Sequence, residues 1–158
     1  MAVRVSRRSL FVMLAAPAAV LSSAALVAQR ATAAKLPPVP VYKDPNCGCC
    51  SLWGTHLEQA GFAVRYVNST DLAAVRAKYR VPRSLQSCHT AILDGLVVEG
   101  HVPAADVKRL LAERPNVLGI AVPGMPIGSP GMEQGTRRQS YAVMSFDAAG
   151  KTAIFAEH

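Results

Sequence analysis

Asp44-Pro45-Asn46-Cys47-Gly48-Cys49-Cys50 joins two patterns of different period. Before it, Pro40-Val41-Tyr42-Lys43 is short, apolar and bounded by turn residues, which predicts a first strand ending near Asp44. Within it, Pro, Asn and Gly specify a loop. After it, Leu52, Trp53, His56, Leu57 and Ala60 recur at the spacing of one helix face. A helix over about residues 49–60 follows, with Gly61 as its C-terminal cap. The cysteines therefore sit where a strand hands over to a helix.

Reading outward, Phe62 to Val67 alternates as a second strand. Ser69 or Thr70 is expected to cap a second helix running to about Tyr79, with Asp71 in its first turn. Val81-Pro82 ends it. His89 to Leu93 reads as a third strand, and Asp94-Gly95 as a two-residue hairpin turn into Leu96–Gly100. A third helix is expected from about Pro103 to Glu113. The order β-α-β-α-β-β-α describes an α/β domain of thioredoxin-like type, whose first two strands pair through a right-handed crossover and whose last two form a hairpin. Val117 to Ala121 is a short apolar stretch. A Gly/Pro/Met loop occupies residues 123–132, and residues 140–146 and 152–155 flank a turn as a terminal β-hairpin.

Cys47 and Cys50 form C-x-x-C, and Cys47 and Cys49 form C-x-C. A helix start offers free N–H groups and partial positive charge, which favour thiolate over thiol, so cysteine pKa values should fall there. Thiolates either attack disulfides or bind soft metal ions. Cys88 stands just before the third strand, across from the strand-to-helix loop in a thioredoxin-like layout. Most such domains place a cis-proline there, whereas Pro82 is six residues upstream here. A four-sulfur pocket of Cys47, Cys49, Cys50 and Cys88 is the expectation. Four thiolates suit Cu(I), zinc and iron–sulfur clusters. Zinc usually takes two separated cysteine pairs, and C-x-C-C lacks the usual iron–sulfur spacings. Crowded cysteines suit thiolates that bridge several low-coordinate Cu(I) ions.

Other side chains carry paired readings. Met125 and Met132 either offer thioethers to Cu(I) or pack their loop, and composition does not choose between them. His89 adjoins Cys88 and either binds metal or tunes its thiol, or points to the opposite face as strand neighbours do. His56 is expected to be structural or exposed, and His101 to be structural through hydrogen bonds, with metal transfer as its lesser alternative. Trp53 should pack as a core or rim residue, and Met144 in the core.

The N-terminus has a different character. Residues 1–9 carry Arg4, Arg7 and Arg8, residues 10–28 carry no charge, and Ala31-Thr32-Ala33 gives a small-x-small exit. This is the layout of a secretory signal peptide. Ser6-Arg7-Arg8-Ser9-Leu10-Phe11 resembles the twin-arginine export signal, and Arg30 near the exit suits that route; the alternative is an ordinary secretion signal with two adjacent arginines. The expected organisation is a cleavable export signal over residues 1–33 and one soluble domain over residues 34–158. Removing the signal leaves 13 basic against 10 acidic residues, so the net charge falls from +7 to about +3. That is too mild for nucleic acid, and no membrane partner is expected after cleavage.

Four stretches, Asp-Pro-Asn-Cys-Gly-Cys-Cys (44–50), Ser-Cys-His-Thr-Ala (87–91), Glu-Gly-His-Val-Pro (99–103) and Pro-Gly-Met-Pro-Ile-Gly-Ser-Pro-Gly-Met-Glu (123–133), closely resemble the CopG-like family. These are periplasmic proteins associated with copper resistance, and the resemblance runs in order from about Val39 to the C-terminus. It implies a thioredoxin-like fold, copper binding through Cys47, Cys49, Cys50 and Cys88, and redox activity. The leading reading is an exported protein that holds Cu(I) with these four cysteines, for copper resistance or handover to other periplasmic copper proteins. Two other readings of the cysteines stand beside it. One is a thiol–disulfide oxidoreductase in which Cys47 attacks and Cys50 resolves, with Cys49 and Cys88 as a second pair. The other is a small domain stapled by two disulfides.

Overall fold

The computed structural model describes Leu36 and residues 38–158, so the expected export signal and its cleavage site lie outside the described residues. Elements follow in the order β1 (Pro38–Lys43), α1 (Gly48–Gln59), β2 (Ala63–Asn68), α2 (Leu72–Lys78), a 3-10 turn (Arg83–Leu85), β3 (His89–Leu93), β4 (Leu96–Glu99) and α3 (Ala104–Glu113). Three further strands complete the chain: β5 (Gly119–Ala121), β6 (Ala142–Phe146) and β7 (Thr152–Glu157). All form one seven-stranded sheet in the order β2-β1-β3-β4-β5-β6-β7. As expected, β1 and β2 pair in parallel, β3 and β4 form an antiparallel hairpin, and β6 and β7 pair antiparallel at the end.

Alternation along the strands separates the two faces of this sheet. Val98 and Ile120 turn to a core with Val39, Val41, Trp53, Leu57, Val107 and Leu110, built from β1, α1 and α3. Their neighbours Val97 and Ala121 join a second cluster with Val81, Leu85 and Phe146, where Met144 packs partly buried. The short apolar stretch near residues 117–121 thus supplies β5, whose three buried residues are too few to show a period in sequence.

Several local expectations hold. Gly61, at φ +96°, follows the α1 C-cap and donates its N–H to Glu58 O. Asp94 and Gly95 both have positive φ, as a two-residue hairpin turn requires. Two starts differ. Asp71, not Ser69 or Thr70, caps α2: its Oδ1 accepts from Ala74 N at 2.9 Å, while Ser69 Oγ accepts from Asp71 N. A carboxylate three residues before a free N–H is the better placed acceptor. Helix α3 begins at Ala104 with Pro103 outside it, and Ala104 N donates to His56 Nε2 at 3.0 Å. Half-buried His56 therefore has the structural role expected of it.

Candidate metal centre

Helix α1 opens at the cysteine loop. Cys47 occupies its N-cap position in extended conformation and makes no side-chain cap, so the first helical N–H groups face the loop unclaimed by that side chain. Cys47 N donates to Asp44 O, and Lys43 Nζ donates to the carbonyls of Asp44 and Pro45. These bonds fix the entry to the loop. Cys47 and Cys50 are joined as a disulfide, while Cys49 and Cys88 are free.

Ligand atoms of Cys47, Cys49, Cys50 and Cys88 all lie within 4.8 Å of one another. Cys49 Sγ is 3.5 Å from Cys47 Sγ and 3.9 Å from Cys88 Sγ, and Cys50 Sγ is 3.6 Å from Cys88 O. The segment before β3 thus brings Cys88 across to the loop, as its place in the chain suggests. A two-disulfide staple does not describe this arrangement, because Cys49 and Cys88 stand close but unbonded.

The cysteines do not share one electrostatic setting. A helix start favours thiolate, but Cys88 lies off the helix, and burial, with neighbouring Cys49 adding to it, pushes its pKa up to about 12. Cys88 is therefore a thiol at neutral pH, and any metal ion bound there must displace its proton.

Two histidines complete the surroundings, and Cys88 is the member they share with the sulfur group. His101 is fully buried, with Nε2 2.9 Å from Cys88 Sγ and Nδ1 2.8 Å from Pro130 O. A carbonyl only accepts, so Nδ1 carries the hydrogen and Nε2 presents its lone pair to the Cys88 thiol. This is the outer-shell arrangement that orients a metal-binding imidazole. The structural hydrogen bond expected of His101 is present, and the same ring also faces the sulfur site. His89, also fully buried, sets Nδ1 3.2 Å from Cys88 Sγ and packs its ring 4.3 Å from Trp53. Its Nε2 is buried without a partner, which favours the hydrogen on Nδ1. Burial lowers the pKa of both rings, well below the usual range for His89, keeping them neutral. Trp53 is fully buried and donates Nε1–H to Val102 O at 2.8 Å.

The Gly/Pro/Met loop leans on this centre. A side chain at Gly131 would stand 2.7 Å from Trp53 N and 2.8 Å from Cys49 O. That close approach places Pro130 O on His101. Met132, half-buried, directly follows the contact, and Met125 is 52 % exposed beside Gly124, whose carbonyl accepts from Ser87 Oγ. The His101 contact escapes sequence reasoning because it depends on a loop 29 residues away. The only signal for it is its place in the Glu-Gly-His-Val-Pro motif.

Among the described residues no helix is long and apolar enough to cross a membrane. A family profile described as "Protein of unknown function, DUF411" matches residues 85–132. Two solved structures, described as copper resistance protein CopG in forms 1 and 2, are each 47% identical to this chain. Both cover 78% of this chain and are themselves covered to 98%, with TM-scores of 0.74 and 0.75 respectively. No curated protein matches.

Proposed function

The chain belongs to the CopG copper-resistance family, and from that premise we propose that it is an exported protein holding Cu(I) through Cys47, Cys49, Cys50 and Cys88 in copper resistance or handover. The convergence of four sulfur atoms within 4.8 Å carries the reading. Adjacent Cys49 and Cys50 fit a single tetrahedral ion poorly, whereas thiolates that bridge two ions make crowding useful, so more than one Cu(I) per chain is proposed. Neutral His101 offers its Nε2 lone pair as a nitrogen ligand on the Cys88 side, and His89 can join it only after its hydrogen leaves Nδ1. Met125 and Met132 offer soft thioethers on the loop that passes ions in or out. Twin-arginine export to the periplasm accounts for the N-terminal pattern, and other periplasmic copper proteins are the partners for handover.

The Cys47–Cys50 disulfide adds a redox element. A two-electron donor opens it to two thiolates, after which all four cysteines can bind. In the opposite direction, two thiolates give up two electrons to form the disulfide while two Cu(II) become two Cu(I). The same disulfide supports the second reading, a thiol–disulfide oxidoreductase acting through Cys47 and Cys50.

Copper K-edge absorption of the reduced, Cu(I)-loaded protein tests the proposal. The expected spectrum is that of reduced copper with mostly sulfur neighbours and copper–copper scattering. A first shell of nitrogen and oxygen alone contradicts it.

A further inference from the structure

Helix α2 buries none of its residues, yet Arg76 reaches from it under the sheet to a fully buried carboxylate. Glu99 Oε1 accepts from Arg76 Nε at 2.9 Å and from Ser87 N at 2.8 Å, and Oε2 accepts from Thr90 Oγ1 at 2.5 Å. Arg76 Nη2 donates to Ser87 O at 2.5 Å. The guanidinium fork thus bridges the carboxylate and the carbonyl of Ser87, while the carboxylate holds the Ser87 N–H. The Ser87 side chain is held too: its Oγ donates to Gly124 O, and any side chain at Gly100 would strike it. The residue before Cys88 is therefore gripped by α2, by the end of β4 and by the Gly/Pro/Met loop.

An ion pair this buried contributes little net stability, since desolvation of both charges offsets their attraction. What it supplies is geometry. We propose that Arg76 and Glu99 are positioning residues, a polar clamp on Ser87 that sets the Cys88 sulfur against Cys49 and the cysteine loop. The clamp does at this position what a rigid backbone does elsewhere, and it couples the seat of Cys88 to the loop over the site. The proposal rests on the copper reading for its consequence and on hydrogen-bond geometry for its existence.

Arg76→Lys separates positioning from charge, because lysine keeps the positive charge but lacks the fork that reaches both Glu99 and Ser87 O. Cu(I) affinity is measured by chelator competition in the protein with Cys88 and in the Cys88→Ser background, with thermal unfolding in parallel. The expected result is about a tenfold loss with Cys88 present, the size of one lost charge-assisted hydrogen bond, and no further loss in the Cys88→Ser background. Glu99→Gln, which keeps the side-chain shape, is expected to give the same pattern. Once Cu(I) uptake by the unsubstituted protein is established, equal losses in both backgrounds, or none in either, overturn the clamp. A copper-free measurement keeps the two ideas apart. In the Cys47→Ser, Cys50→Ser protein, diamide oxidises Cys49 and Cys88 to a disulfide, and Arg76→Lys should slow that closure several-fold. Slowed closure there, together with no Cu(I) uptake by the protein that keeps all four cysteines, leaves the clamp standing and removes the copper reading. Unchanged closure overturns the clamp.

Discussion

Replacing Gly131 by alanine perturbs the contact on which the loop and the cysteine helix meet. The new methyl would lie 2.7 Å from Trp53 N, 2.8 Å from Cys49 O and 3.2 Å from Trp53 Cα, all backbone atoms that cannot rotate away. Gly131 also has φ +82°, where an L-residue costs about 1–2 kcal/mol. Forcing the loop off the helix adds about 1–3 kcal/mol of overpacking. Gly124 in the same loop provides the comparison: its φ is +68°, and a methyl there would have nothing within 4 Å. Gly124→Ala therefore carries the backbone cost alone, and any unfolded-state gain from losing a glycine cancels between the two variants. Gly131→Ala should be less stable than Gly124→Ala by about 1–3 kcal/mol, roughly 4–12 °C in midpoint for a domain of this size. Thermal unfolding by circular dichroism measures both. Equal midpoints would refute the close loop-to-helix contact, and with it the explanation of how Pro130 reaches His101.

Two further outcomes follow from single contacts. Asp71→Ala removes the acceptor for Ala74 N and should cost about 1 kcal/mol in chemical denaturation; an unchanged midpoint would mean that the cap does not hold α2. His56 accepts from Ala104 N, and burial lowers its pKa below the ordinary 6.5, although Glu133 opposes this. The folded state thus prefers the neutral ring: its contribution is complete above the unfolded pKa near 6.5 and is lost as pH falls through the lower folded value. His56→Gln retains an acceptor that does not titrate, so its stability should fall less than the wild type's between about pH 7.5 and 5. Parallel curves would contradict the assignment, since His89 and His101 contribute equally to both proteins.

Short-range patterns carry much of this fold. The Cys47–Cys50 loop lies between an apolar strand and an amphipathic helix, and Asp94-Gly95 specifies its hairpin, so both are legible from neighbouring residues. Cys88 is legible through topology, because the segment leading into β3 crosses toward the start of α1. His101 is not, since nothing near it in sequence indicates that Pro130 will fix its ring or that Cys88 will meet it. Glu99 closes an apolar strand and Arg76 lies on an exposed helix, so their pairing around Ser87 is a purely tertiary event. The raised pKa of Cys88 has the same origin: helix-start electrostatics can be read locally, but burial requires the assembled fold.

A shared copper site built on four cysteines can be examined by anaerobic titration of the reduced protein with Cu(I) against a competing chelator, repeated with Cys88→Ser. Tight uptake of more than one Cu(I) per chain, weakened by that substitution, is the predicted result. Uptake no tighter than that of an isolated C-x-x-C pair, and indifferent to Cys88, would contradict it.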